Sequence, residues 1–151
     1  MGILNVKVEY GKLNPKQKEI YNFQKVSALF ADYGYSVTLL RDDVEFADFV
    51  AVPFSGDKKK EPLFVQLKGN LGLTFRKEYS GKNLYICFPD HKNHTWYLYP
   101  HDILCNEVES ELQKKEDWKD KGTYGGGQSE TAPSALPKWA KDFLVKYKID
   151  P

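Results

Sequence analysis

Five short segments rich in β-branched and aromatic residues follow one another between residues 35 and 100, and this succession constrains the fold most. They cover residues 35–40, 48–54, 63–69, 83–88 and 95–100. Turn residues separate them, such as Gly56 and Pro62 in the loop before the third segment. Adjacent strands joined by such loops predict a single sheet.

Helical patterns lie on both sides of these strands. Asn14 is a suitable N-cap for a helix that begins at Pro15, and Gly34 follows its last turn. Its apolar arc consists of Ile20, Phe23, Val26, Leu29, Phe30 and Tyr33. After the strands, Asp102 can cap a helix over roughly 103–115, and an amphipathic helix closes the chain. This order predicts an α/β fold with a central mixed sheet flanked by helices.

The chain of 151 residues is long enough for one domain with a proper core. We expect an α/β domain over residues 1–121, in which residues 2–10 form a short strand or an extended arm. Three consecutive glycines predict a flexible loop over 122–134. The helical segment 135–151 is expected to pack on the same domain.

The net charge of +1 requires a nucleic-acid partner to bind a local basic surface rather than the whole molecule. Candidates are Lys58, Lys59, Lys60, Arg76 and Lys77, although such charges can also be solvated loop residues. Two cysteines do not make a disulfide framework, and no apolar run approaches membrane-spanning length. We therefore expect a cytoplasmic protein.

Glu19 interrupts the apolar arc of the first helix, near its middle. A carboxylate on a buried stripe needs a partner, so Glu19 is a candidate functional acid. The alternative is that it favours the positive end of the helix dipole.

Polar side chains mark the ends of two consecutive strands. Asp48 begins the second strand, and Gln66 and Lys68 lie on the same face of the third because side chains alternate along a strand. The short loop between the strands predicts that they pair, which would bring a carboxylate, an amide oxygen and an ammonium together.

This set of groups suits phosphodiester hydrolysis. Mg²⁺ or Mn²⁺ prefers oxygen ligands, which Asp48, Gln66 and the backbone carbonyl of Leu67 can provide. Lys68 can orient a water and neutralise charge that develops on the phosphate. Asp42, Asp43 or Glu45 could replace Asp48 as the ligand, and Gln66 and Lys68 could be an ordinary solvent-facing strand surface.

The segments "ADFVAV" and "FVQLKG", after a helix that carries Glu19, resemble the PD-(D/E)XK superfamily of restriction-endonuclease-like nucleases. The wider run from "GNLGLTFRKEY" to "WYLYPHD" is similar to uncharacterised small bacterial proteins of this type. The resemblance implies a restriction-endonuclease-like fold and a homodimeric, metal-dependent DNA endonuclease. It also implies catalytic roles for Asp48, Gln66, Lys68 and Glu19.

Glutamine stands where most members of that superfamily have a second carboxylate, which lowers the negative charge available to a metal. The alternative function is therefore an inactive nuclease-like fold that binds nucleic acid or a protein. Two other motifs are weaker. His91 and His94 have no cysteine beside them to suggest zinc, and His101-Asp102 could position a substrate.

Overall fold

The computed structural model describes residues 2–55, 58–126 and 136–150, and the side chains of Asp43 and Val44 are outside the described set. The protein has an α/β fold with a mixed six-stranded sheet and a small two-stranded sheet. The strands are β1 (Tyr35–Val44), β2 (Ala47–Pro53), β3 (Leu63–Leu67), β4 (Leu73–Arg76), β5 (Leu84–Asp90), β6 (Thr95–Pro100), β7 (Thr123–Gly126) and β8 (Lys148–Ile149). The helices are α1 (Pro15–Asp32), α2 (His101–Glu107), α3 (Glu109–Leu112), α4 (Glu116–Lys121) and α5 (Lys138–Leu144).

The large sheet has the strand order β1-β2-β3-β5-β6-β8, and the small sheet pairs β4 with β7. Strands β1, β2 and β3 form an antiparallel meander, as the short loops predict. Strand β5 then runs parallel to β3, with Gln66 opposite Ile86. The chain between β3 and β5 contains β4 and a 3-10 helix over Lys77–Tyr79. Side chains of these two elements lie near the end of β3.

Helix α1 begins where the sequence predicts. The Gln17 backbone N–H donates to Asn14 Oδ1 (2.9 Å), and the Asn14 N–H donates to Gln17 Oε1 (3.0 Å), which forms a complete capping box. Gly34 ends the helix with φ 82°, a left-handed conformation that glycine adopts without a Cβ penalty.

The sheet has an apolar layer on each face. On one face, Val26 and Phe30 of α1 pack with Phe49, Val65 and Cys87. On the other face, Leu84, Ile86, Phe88 and Tyr99 pack with buried residues of the later helices, namely Leu104, Leu112, Ala140 and Leu144, and with Leu136, which precedes α5. The closing helix therefore belongs to the same core as the strands.

Several boundaries differ from the sequence prediction. Residues 2–9 form no strand, and a 3-10 helix covers Tyr10–Lys12. The helix predicted over 103–115 consists of α2 and α3, and the prediction missed α4. Thr123–Gly126, expected to begin a flexible loop, pairs with β4. The rest of that loop, from residue 127 on, and Gly56 lie outside the described residues.

No helix in the described part of the chain combines the length and the apolar character that crossing a membrane requires.

Candidate functional site

Strands β2 and β3 bring Asp48 and Gln66 to opposed positions, which confirms that the two strands pair directly. The antiparallel register sets Phe49 against Val65, so Asp48 and Gln66 are the next opposed residues. The ladder opens here, and the Leu67 N–H donates to Asp48 Oδ2 (2.7 Å) instead. Opposed side chains have Cβ atoms about 5 Å apart. The carboxylate and the amide therefore lie beside each other.

Lys68 lies on the same face of the sheet as Gln66. Val65 points into the core beneath α1, whereas Gln66 is opposite Ile86, which packs on the other face. The Lys68 N–H donates to the Cys87 carbonyl (2.8 Å) and continues the strand pairing by one residue. The alternation of β3 thus persists to Lys68 and groups the three predicted side chains.

The ammonium of Lys68 is half-buried, and its environment favours loss of the proton. Burial lowers the pKa of Lys68, and the nearby charge of Arg76 lowers it further. Asp48 raises this pKa, which shows that carboxylate and ammonium interact electrostatically. A lysine of this kind exchanges its proton more readily than a solvated one.

The Gln66 amide is held by a residue that the sequence analysis did not select. Its side chain hydrogen-bonds to Tyr79, the last residue of the 3-10 helix after β4. Gln66 Oε1 is buried and has no hydrogen-bond partner among the residues that the structure describes. A buried acceptor without a partner costs about 1–3 kcal/mol. This oxygen is available to a ligand that the protein alone does not supply.

The "YPHD" motif holds the segment that carries Tyr79. The Tyr99 hydroxyl accepts from the Thr74 N–H (2.9 Å) and donates to the Thr74 carbonyl (2.8 Å). His101 Nε2 accepts from the Arg76 N–H (3.1 Å), and Asp102 Oδ2 accepts from the Gly81 N–H (2.9 Å). These bonds fix β4 and the turn after it at both ends.

His101 is neutral in this network. Its ring is fully buried, and burial lowers its pKa despite the contact of Nδ1 with Asp102 Oδ1 (2.9 Å). Since Nε2 accepts a backbone hydrogen bond, Nδ1 carries the proton and donates to Asp102. Asp102 is the second residue of α2 and makes no cap, so the predicted capping role is wrong.

Two predicted basic residues lie where β4 ends, Arg76 as its last residue and Lys77 directly after it. Arg76 pairs with Glu78 (2.8 Å) and lies over the Tyr79 ring at 5.7 Å from its centroid. Lys77 lies over the Trp118 ring at 5.3 Å. Arg76 is thereby placed within electrostatic range of Lys68, which its effect on the lysine pKa reflects.

The predicted burial of Glu19 is wrong. Its side chain is exposed and pairs with Lys16 (3.0 Å), and the buried residues of α1 begin at Asn22. Ile20, assigned to the apolar arc, is also 51% exposed. The first turns of α1 extend beyond the part of the sheet on which this helix packs. Glu19 nevertheless lines a groove that also contains Asp48 and Leu67.

The lysine run lies at the far end of the hairpin. Lys58, Lys59 and Lys60 belong to the loop after β2, whereas Asp48 is near the start of that strand. Six residues of strand span roughly 20 Å. Lys60 donates to the Tyr33 carbonyl (2.6 Å) at the end of α1. The structure therefore does not bring these lysines together with Lys68.

The other candidates take structural positions. Asp42 is exposed, and Glu45 pairs with Lys82 (2.5 Å). His91 stacks on Tyr10 with ring centroids 3.7 Å apart, and its Nε2 is 3.1 Å from the Gly69 carbonyl oxygen. His94 is exposed in the β5–β6 turn.

Asp48 is the carboxylate that the described strands place opposite Gln66. Within residues 2–55, 58–126 and 136–150, no three His, Cys, Asp or Glu side chains form a group that could hold a metal ion. The available ligand atoms at the cluster are therefore oxygens of Asp48 and Gln66, with the Leu67 carbonyl as the predicted third. Oxygen ligands of this kind suit a hard cation such as Mg²⁺.

Comparison of the chain with protein-family models, with curated proteins and with solved structures finds no match.

Proposed function

We propose that this protein is a divalent-metal-dependent nuclease that hydrolyses phosphodiester bonds at the cluster of Asp48, Gln66 and Lys68. The observation that carries the proposal is the grouping of these three side chains where β2 begins and β3 ends, with a buried Gln66 Oε1 that has no hydrogen-bond partner among the described residues. An ordinary solvent-facing strand surface would leave that amide oxygen hydrated.

The cluster fits a small divalent cation. The Gln66 oxygen lies beside a carboxylate that keeps one oxygen on the Leu67 N–H, so the carboxylate is oriented by the backbone. Mg²⁺ usually keeps several waters and binds through one or two carboxylates plus substrate phosphates, so the single Asp48 carboxylate, the amide and a phosphate would together supply its ligands. When bound, the cation would polarise the phosphate and lower the pKa of a coordinated water.

The residues of this chain supply orientation and charge. Asp48 and Gln66 lie on one face of the sheet, and Tyr79 hydrogen-bonds to the Gln66 side chain. Lys68 neutralises charge on the phosphate oxygens, and its lowered pKa lets it release or accept a proton from a water beside the phosphate. Arg76 adds a second positive charge next to Lys68.

The test is cleavage of labelled DNA by the purified protein with Mg²⁺ or Mn²⁺, against EDTA. Lys68→Ala should reduce the cleavage rate about 100-fold or more, because it removes transition-state stabilisation. DNA affinity should change less than about threefold, because one phosphate contact among several is lost.

Lys138→Ala is the matched control, since Lys138 is an exposed lysine that pairs with Asp142 far along the chain (2.9 Å). It should cleave as the wild type does. Wild-type protein that binds DNA and never cuts it with either metal would refute the nuclease.

One observation favours a second function, an inactive nuclease-like fold that binds nucleic acid. Glu19, the expected second acid, is exposed at the surface, where it pairs with Lys16 (3.0 Å). Binding without cleavage, weakened by added salt, is the result that would support this function.

A further inference from the structure

A groove of about 880 Å³ begins at the candidate site and runs between α1 and β1. One wall comes from the first turns of α1, and the other comes from residues 39–41 of β1. Asp48, Leu67 and Gly69 line its inner end. Of the proposed catalytic cluster, Asp48 lines the groove, whereas Gln66 and Lys68 lie on the other face of the sheet from α1.

The walls of the groove are apolar at exposed positions. Ile20 on α1 is 51% exposed and Leu39 on β1 is 53% exposed, and Phe23 lies deeper between them. A duplex offers phosphates and base-pair edges to a protein, whereas unpaired bases offer apolar faces. Exposed aliphatic walls beside a phosphodiester site thus suit unpaired bases.

Cations lie among these apolar residues. Lys16, Lys18 and Arg41 line the groove, and Lys18 lies over the Tyr10 ring at 5.3 Å from its centroid. Tyr10 also stacks on His91 and contacts Tyr21 at 5.4 Å. Basic side chains that follow a backbone, with aromatic faces between them, are the pattern of sites for single-stranded nucleic acid.

A buried amide gives a second, independent sign of a ligand. Asn22 lines the groove and is 2% exposed, and its Nδ2 donates to the Tyr10 hydroxyl (2.8 Å). Asn22 Oδ1 has no hydrogen-bond partner in the described part of the chain, and the same holds for Asn70 Oδ1. Two such acceptors along one groove are costly unless a ligand donates to them.

We infer that the groove binds single-stranded DNA, with unpaired nucleotides between α1 and β1 and the strand passing Asp48 at the inner end of the groove. The inference rests on the proposed function for the cleavage of that strand, and it names the substrate class as unpaired strands. The strand binds through base faces on Ile20, Phe23 and Leu39 and through phosphates on Lys18 and Arg41.

The experiment measures binding apart from cleavage. Fluorescence anisotropy in EDTA compares a labelled 12-nucleotide single strand with the same sequence as a duplex. The single strand should bind at least about tenfold more tightly, since only unpaired bases reach the apolar walls. Equal binding, or tighter binding of the duplex, would overturn the inference.

A pair of matched variants tests the groove itself. Ile20→Gln should weaken single-strand binding about fivefold, because a base loses its apolar contact. Ile103→Gln is the control, since Ile103 is 57% exposed on helix α2, outside the groove residues, and it should change binding less than about twofold. Both positions are exposed, so thermal unfolding should be unchanged. An equal effect of both substitutions would contradict the groove.

The two proposals fail separately. Groove-dependent binding of single strands without any metal-dependent cleavage would refute the nuclease and support the groove. The opposite result is cleavage that Lys68→Ala abolishes and that neither Ile20→Gln nor the choice of single strand or duplex changes. It would support the nuclease and refute the groove.

Discussion

Gln66 shows how one hydrogen bond decides the chemistry of an amide. An amide has a donor end and an acceptor end, and either can face a cluster. The contact with Tyr79 occupies the donor end and leaves Oε1 without a hydrogen-bond partner among the described residues. A glutamine in place of a carboxylate can then still act as an oxygen ligand, provided that Tyr79 keeps its orientation.

Tyr79→Phe removes only the hydroxyl that holds this amide. We expect Mn²⁺ affinity, measured by isothermal titration calorimetry, to fall roughly tenfold, as for other residues that orient a metal ligand. The ring stays in place against Phe46 and His101, so the fold should be kept. Tyr85→Phe, on the opposite face of the sheet, is the matched control and should not change the affinity. Equal affinities for both variants would show that Tyr79 does not orient Gln66.

Arg76→Gln tests the electrostatic coupling to Lys68. A nearby positive charge disfavours the ammonium form, so removing it should raise the pKa of Lys68. The side-chain NMR resonance of Lys68 is assigned by its absence from the spectrum of Lys68→Arg. In metal-free protein, this resonance should therefore titrate at higher pH in Arg76→Gln than in the wild type. An unchanged or lower pKa would mean that the charge of Arg76 does not lower the pKa of Lys68.

The residues of the cluster were predictable from the sequence to different degrees. Asp48, Gln66 and Lys68 follow from strand alternation and a short connecting loop, which are local properties. Tyr79 does not, because its contact depends on where β4 and the following turn lie in space. The predicted burial of Glu19 was wrong because helical periodicity shows which residues share a face of the helix. It does not show how far along the helix the sheet covers that face.

Among the elements, the "YPHD" segment has the largest effect on the site without touching it. Through Tyr99, His101 and Asp102 it accepts three backbone N–H groups of the chain from β4 to Gly81. Such bonds position Arg76 and Tyr79, which act on Lys68 and Gln66.

His101→Phe should therefore lower both stability and metal affinity. The ring volume is nearly kept, but the Arg76 N–H loses its acceptor, which should lower the free energy of unfolding by about 1–3 kcal/mol. Urea denaturation measures this loss, and calorimetry with Mn²⁺ reports the site. Unfolding at the wild-type urea concentration would indicate that another group satisfies the Arg76 N–H.

Element boundaries were predictable where capping chemistry is local. The Asn14–Gln17 capping box and Gly34 mark the ends of α1, as expected. The division between α2 and α3 was not visible, because Leu104, Val108 and Leu112 keep a helical spacing on both sides of it. Thr123–Gly126 has a loop composition, and it forms a strand because β4 offers a partner.

At the scale of the whole molecule, the α/β class and the packing of helices on both faces of the sheet follow from the order of elements. The parallel pairing of β3 with β5 does not, since sequence alone does not tell how the chain crosses between them. The expected homodimer stays a prediction. Its main reason is that two active sites can cut the two strands of a duplex. A single-stranded substrate would remove this reason, because cutting one strand needs one active site.

Light scattering at the protein concentration of the cleavage assay decides between a monomer and a homodimer. The groove inference leads us to expect the monomer mass of 17.4 kDa. Twice that mass would support the homodimer and a duplex substrate cut on both strands.

The most direct measurement is the position of Mn²⁺ in crystals of the wild-type protein soaked at saturating concentration, located by its anomalous scattering. We predict a peak within about 2.5 Å of both an Asp48 carboxylate oxygen and Gln66 Oε1, and its loss in crystals of Asp48→Asn. No peak at these atoms, or an equal peak in the variant, would contradict a metal-dependent site where β2 begins and β3 ends.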